Sequence, residues 1–474
     1  MHRVMLLGAA LGIAASAQAQ VASIPANRNW SKQQLDRVFD GAGLKPELAA
    51  EPVPGAPADK RILYPESDTP PAAPRFALNI DAVPAEFRHT VRGFEKLFHK
   101  NQEETAQQVD RINEHIRRHN EGRTFGRIDE WTYDGRLNEP VWNCLSHGAA
   151  TANDWWSHEL GKPIPRHESI THGGTEEGLD PYLLELEYFR RAGSEDPDYV
   201  VPPKFVQEDP VRHTGFPYEP RGYAKLLIED EPYDVTDPIT GKVYRYDPAM
   251  SAMEGEYKQL FTNSVFRDRT PAKYAKVLAR GIDRWGIAYV QLEHTDHPRW
   301  PGAHAVAAVG YFCMEAGEKL IRCSANKTDE DWGRTTYFIA HDSFGDYPAS
   351  QPRTAHTASA YRAVRITSID QAIVFPHGLR VTLAPRPGVP GVWNIQVANK
   401  GGKPVDVLAI KALGRGTIET PVLSDVDGSY YVEGSAGDEL RLYVEARHYF
   451  DKDGKGRGYA VELGAGPRTA VAVN

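Results

Sequence analysis

The chain has 474 residues, a formal net charge of −9 and three cysteines. Charges of both signs are interspersed along it, and the acidic balance argues against a nucleic-acid partner. The length allows two or three domains with sizeable cores, and beyond residue 20 no stretch is apolar enough to cross a bilayer.

Residues 1–20 open with His2 and Arg3, run through an apolar stretch from Val4 to Ala15 and close on Ala17-Gln18-Ala19. A basic start, an apolar run too short to span a membrane and a small-x-small end make a cleavable export signal. The mature protein is therefore expected to be secreted or periplasmic. Residues 21–82 are rich in proline, with seven between Pro52 and Pro74, and read as an extended linker or wrapping segment. From Pro84 to Asn120 the pattern turns to a long polar helix. Phe87, Val91, Phe94, Leu97 and Phe98 fall at helical spacing, Val109, Ile112 and Ile116 continue it, and Gly122 stops it. Arg111, Arg117, Arg118 and His119 are its solvated face.

After an irregular aromatic stretch comes Asn143-Cys144-Leu145-Ser146-His147-Gly148-Ala149-Ala150-Thr151-Ala152, a helix beginning close to the cysteine. A second helix is expected over residues 179–189, and residues 194–265 are loop-rich. Thr270-Pro271 opens a helix through Arg280, with Gly281 closing it, and residues 287–292 follow as a strand. A loop with His294, His297 and Pro301 leads to a strand at His304. Another strand, residues 337–340, ends at His341-Asp342. Beyond residue 375 the chain becomes short strands separated by Gly- and Asp-rich turns. The candidates are residues 379–383, 392–397, 405–410, 429–432, 440–444, 459–463 and 469–473, at the spacing of a β-sandwich. Asp451-Lys452-Asp453-Gly454 lacks the ligand spacing of a calcium loop and reads as a hairpin turn.

The three cysteines admit three readings. A local Cys313–Cys323 bridge would leave Cys144 as a free, reactive thiol; alternatively all three are reduced and buried, or Cys144 pairs between chains. A thiol at a helix start faces the positive end of the helix dipole, which favours the nucleophilic thiolate. Amide cleavage by such a thiolate also needs an imidazole, an acceptor to orient it and donors for the oxyanion. Cys144, His304 and Asp342 supply the first three in that chain order. His294 and His297 are joined by no carboxylate or cysteine cluster, so they are read as loop residues and not as zinc ligands. No metal and no cofactor is called for.

His304-Ala305-Val306-Ala307-Ala308-Val309-Gly310-Tyr311 closely resembles the histidine strand of papain-like cysteine peptidases. Ala340-His341-Asp342-Ser343-Phe344-Gly345 is similar to their Asn-Ser-Trp-Gly segment, and the Cys144 helix to their central helix. The resemblance covers residues 125–370. It implies an α+β fold: a two-lobed papain-like domain over residues 123–372, preceded by a segment at 21–122 that could be an inhibitory propeptide. A C-terminal β-sandwich at 375–474 would be an accessory domain for substrate or cell-surface attachment. The resemblance also implies a thiolate–imidazolium pair of Cys144 and His304, oriented by Asp342 and forming an acyl-enzyme. Asn138 is the side-chain oxyanion donor in this reading, with Asn143 as runner-up. The substrates would be proteins or peptides. The sequence departs from the family at Leu145 and Phe344, each in place of a tryptophan, and at Asp342 in place of asparagine. Those departures keep two alternatives open, an amidase or transpeptidase acting on cell-wall peptides and a catalytically inactive binding module on the same fold.

Overall fold

The computed structural model describes residues 62–65, 75–97, 113–114, 117, 121–122, 144–162, 166–168, 175–179, 181, 184, 220–228, 233–236, 243–246, 252–253, 255–262, 271–297, 300–315, 319–324, 327–342, 361–414, 419–424 and 429–473. The fold is mixed α and β, mostly β-sheet with few helices, and it divides between His377 and Gly378 into two compact units.

In the first unit the described strands are β1 (Leu63–Pro65), β2 (Arg75–Leu78), β3 (Arg88–Thr90), β4 (Arg166–Glu168), β5 (Thr175–Glu177), β6 (Tyr233–Thr236), β7 (Val243–Tyr246), β8 (Lys258–Thr262), β9 (Ala288–His297), β10 (Trp300–Glu315), β11 (Lys319–Ile321), β12 (Thr336–His341), β13 (Tyr361–Arg365) and β14 (Ile369–Val374). The helices with described bounds are α1 (Cys144–Leu160), α2 (Pro220–Ile228), α3 (Pro271–Trp285) and α4 (Asp329–Thr335). Ten strands form one sheet in the order β1-β2-β13-β12-β10-β9-β14-β8, with β3 and β11 also pairing to β10. All of these pairings are antiparallel. The remaining strands form two separate pairs, β4 with β5 and β6 with β7.

Helix α1 lies at the centre of this unit. Its small residues Ala149, Ala150 and Ala152 are fully buried, as are the large rings of Trp155 and Trp156. Polar groups on such a helix must find partners, because a buried polar group left unpaired is costly. Here they hold the surrounding chain. Asn153 accepts from the Ala252 N–H at 2.8 Å, and Asp154 accepts from the Leu179 N–H at 2.9 Å. The Trp155 indole donates to the Arg92 carbonyl at 3.0 Å, and Glu159 pairs with the Arg92 guanidinium at 2.8 Å.

Residues 84–97 do not form the start of the expected polar helix. They are two 3₁₀ turns at Ala85–Phe87 and Phe94–Lys96, with β3 between them. The spacing of Phe87, Val91, Phe94 and Leu97 still has a physical cause, since all four side chains are buried. Three-residue turns and a short strand deliver the same repeat of about three that a helix would. Further on, Asn113, Glu114 and Arg117 are helical, and Gly122 adopts φ +72° in a turn. The N-terminal region thus contributes three strands to the large sheet, β1 and β2 at the β13 edge and β3 beside β10.

Helix α3 extends past Gly281 to Trp285, and Gly286, at φ +76°, ends it. Gly281 is there for packing: a Cβ would stand 2.3 Å from Leu260 Cδ1. Ala275, Leu278, Ala279, Ile282 and Trp285 form its buried stripe. His294 and His297 lie within β9 and not in a loop. Among the described residues no group of His, Cys, Asp or Glu could hold a metal ion. No described helix is long and apolar enough to cross a membrane. Helix α2 and strands β6 to β8 occupy a region that sequence patterning left as loop.

The second unit holds β15 (Leu379–Pro385), β16 (Val392–Asn399), β17 (Val407–Leu413), β18 (Glu419–Thr420), β19 (Val422–Ser424), β20 (Tyr430–Glu433), β21 (Glu439–Ala446), β22 (Arg457–Glu462), β23 (Arg468–Thr469) and β24 (Val471–Val473). They form two five-stranded sheets, β19-β20-β16-β15-β23 and β18-β17-β21-β22-β24. Alternation along β15 and β16 buries Val381, Leu383, Trp393 and Ile395, while the other sheet buries Ile410, Leu442, Val444 and Tyr459. The Tyr459 hydroxyl on one sheet donates to the Leu379 carbonyl on the other at 3.4 Å. The Asp451 carboxylate accepts from the N–H groups of Asp453 at 2.9 Å and Lys455 at 2.7 Å, so it serves its own turn between β21 and β22.

Candidate active site

Cys144 is the first residue of α1 and is 8% exposed. It is the cysteine that stands outside a disulfide, because Cys313 and Cys323 are joined to each other. That bridge ties β10 to the segment just after β11. Of the readings the sequence left open for the cysteines, the local bridge is the one adopted. The thiol therefore sits in the first turn of a 17-residue helix, where the dipole favours its anion.

Two contacts set the first turn of α1 on the sheet. The Tyr289 hydroxyl, from β9, donates to the Leu145 carbonyl at 2.6 Å. Gly148 lies so close to the sheet that a Cβ there would stand 2.8 Å from Tyr289 Cε2 and 3.4 Å from the Val306 nitrogen of β10. At the other end of α1, the Trp155 ring covers Gly286, just before β9 begins. Since β9 and β10 are antiparallel, with Tyr289 opposite Ala307 and Ala288 opposite Ala308, α1 runs in the direction of β10. Its N-terminus points to the end of the sheet where β10 starts.

That end of the sheet also holds the other two expected residues. His304 stands in β10 opposite Leu292 of β9. Strand β12 pairs with β10 through Ala307 opposite His341 and stops there, so Asp342 follows at the level of Val306. The topology therefore sets the helix start carrying Cys144, the strand position of His304 and the end of β12 toward the same end of the sheet. Asn138, Asn143 and Phe344 lie outside the described residues.

Asp342 is buried, and its carboxylate has a cationic neighbour that sequence patterning did not single out. Arg362 Nε lies 3.8 Å from Asp342 Oδ2, with side-chain exposures of 3% and 5%. Arg362 belongs to β13, opposite Ala340 of β12. The one signal for it in the sequence is an arginine between Tyr361 and Ala363-Val364, in a run that is otherwise apolar.

His341 and His147 were also not singled out, and both are buried. His341 belongs to a row across the sheet, formed by Tyr289, Ala307, His341 and Tyr361 on successive strands. Paired residues of antiparallel strands share a face, so this row lies on the α1 side, where Tyr289 meets the helix. The His341 ring meets Tyr361 edge-on at 5.6 Å, and the Tyr361 hydroxyl donates to the Phe94 carbonyl at 3.1 Å.

No family model, curated protein or solved structure matches this chain.

Proposed function

We propose that the protein is an exported cysteine peptidase with a papain-like arrangement of Cys144, His304 and Asp342. The observation that carries this reading is the convergence of the α1 N-terminus, the β10 position of His304 and the β12 end at Asp342 on one end of the sheet. The order α3, β9, β10, β12 after a buried cysteine helix supports it further. In this reading the Cys144 thiolate attacks the scissile carbonyl carbon and His304 protonates the departing amine. A water, deprotonated by His304, then hydrolyses the thioester and returns the thiol. The oxyanion is stabilised by the Cys144 backbone N–H and a side-chain amide, for which Asn138 is the candidate. Asp342 accepts the imidazole N–H and sets its orientation.

Strands β1 to β3 pair into the sheet that contains the His304 position, which supports counting them with the catalytic domain and not with a released prosegment. Export rests on residues 1–20, which lie outside the described residues. The test is labelling of purified full-length protein with iodoacetamide or a thiol-directed epoxide at mildly acidic pH, followed by peptide mapping. Fast labelling at Cys144 that His304→Ala abolishes is expected. Slow labelling, equal in both proteins, would sink the reading. Parallel digestion of casein and of cell-wall peptides separates a general peptidase from a cell-wall amidase.

A further inference from the structure

We propose that Tyr289 is a positioning residue for Cys144, its hydroxyl fixing where the first turn of α1 sits on the sheet. The inference deepens the peptidase reading above and rests on it.

The Tyr289 side chain is fully buried, and its own backbone is held from both flanks. Strand β9 is an inner strand, in which Tyr289 is opposite Ala307 of β10 on one side and Ile373 of β14 on the other. Its ring and hydroxyl meet α1 one turn apart. The hydroxyl donates to the Leu145 carbonyl at 2.6 Å, and Cε2 would stand 2.8 Å from a Cβ on Gly148, three residues further on. The ring contact sets how closely the helix approaches the sheet, as close packing does elsewhere in a core. The hydrogen bond is directional, so it also sets how far α1 slides along the sheet and how it is turned. It does so at the residue next to Cys144.

The hydroxyl is not required to satisfy the helix. Within α1 the Leu145 carbonyl is the acceptor for the Ala149 N–H, and its oxygen has a second lone pair for the phenol. Removing the hydroxyl therefore orphans no backbone group, and the ring keeps its packing. What is lost is the tie on the first turn, the part of a helix whose N–H groups have no partners within it. In the peptidase reading Cys144 supplies the nucleophile and an oxyanion N–H from that turn. A displacement of about 1 Å at such groups can cost about 10²-fold in rate.

The experiment compares the full chain with Tyr289→Phe and His304→Ala. Inactivation by a thiol-directed peptidyl epoxide is followed over a range of concentrations, which separates affinity from the limiting rate, and urea midpoints are measured alongside. In Tyr289→Phe the limiting rate is expected to fall roughly tenfold with affinity unchanged, because the epoxide binds as before and meets a displaced thiol. The urea midpoint should stay close to that of the wild type. A contact with a structural role alone would lower the midpoint and leave the limiting rate of the folded protein unchanged, and that result overturns the inference. A Tyr289→Phe protein that does not fold also overturns it, since the hydroxyl would then serve the fold and not the nucleophile. An unchanged Tyr289→Phe rate with inactivation that His304→Ala abolishes overturns this inference alone. Wild-type inactivation indifferent to His304→Ala overturns the peptidase reading and this inference with it.

Discussion

Replacing Gly148 by alanine probes the seat of α1 on the sheet most directly. The new Cβ would stand 2.8 Å from Tyr289 Cε2, 3.1 Å from Cδ2 and 3.4 Å from the Val306 nitrogen. The ring cannot swing aside cheaply: Tyr289 is fully buried, and its hydroxyl is held by the Leu145 carbonyl at 2.6 Å. The Val306 nitrogen is only in ordinary contact, so the clash lies with this held ring, and the helix itself must lift to relieve it. Overpacking of this kind costs about 1–3 kcal/mol. Alanine is the better helix former by roughly 0.8–1.0 kcal/mol, which offsets part of that loss. A net destabilisation between about zero and 2 kcal/mol follows. Because the lift moves the first turn of α1, Cys144 labelling should slow even where the stability change is small. Urea unfolding gives the first quantity and iodoacetamide kinetics the second. A Gly148→Ala protein stabilised by the full helix-propensity gain, with unchanged labelling, would refute the account of close contact.

The disulfide and the second unit supply two more expectations. Replacing Cys313 and Cys323 together by alanine frees a loop with a sequence separation of 10, worth at most about 3 kcal/mol. Urea midpoints with and without reductant measure it, and a midpoint unaffected in both would contradict the bridge. In the second unit, burial holds the Tyr459 phenol above its ordinary value of 10.0, with the Arg457 charge acting in the opposite sense. A group raised in the folded state binds its proton more tightly there than in the unfolded chain. Its stabilising contribution is therefore intact below about pH 10 and lost as pH climbs from there. Unfolding midpoints from pH 9 to 11 should fall less steeply in Tyr459→Phe than in the wild type; identical slopes would refute the assignment.

Much of the architecture is legible locally. Strands β15, β16 and β21 show period-two burial, Gly- and Asp-rich turns separate the C-terminal strands, and each expected strand there overlaps an observed one. The short β18 and β19 had too few residues to show a period. Helices α1 and α3 were readable because hydrogen bonding between near neighbours fixes them, and β12 because its apolar run is long enough to be seen.

Where the local signal failed, tertiary contacts had replaced it. Residues 84–97 place Phe87, Val91, Phe94 and Leu97 in the core at helix-like intervals, yet the backbone pairs with β10 and folds into 3₁₀ turns. Gly281 looks like a helix stop in sequence, but it lets Leu260 approach, and the stop is the left-handed Gly286.

The sequence by itself determined which residue types could carry the chemistry and in what order: a cysteine opening a helix, a histidine on a strand, a carboxylate after the next strand. Local patterning suffices for that, because each depends on its own segment. Only the tertiary structure decided that these segments lie toward the same end of one sheet, and that Arg362 Nε lies 3.8 Å from Asp342 Oδ2. It also decided that β1 to β3 belong to that sheet. Those facts are properties of strand register and of one helix packed against another chain segment, and no run of neighbouring residues contains them.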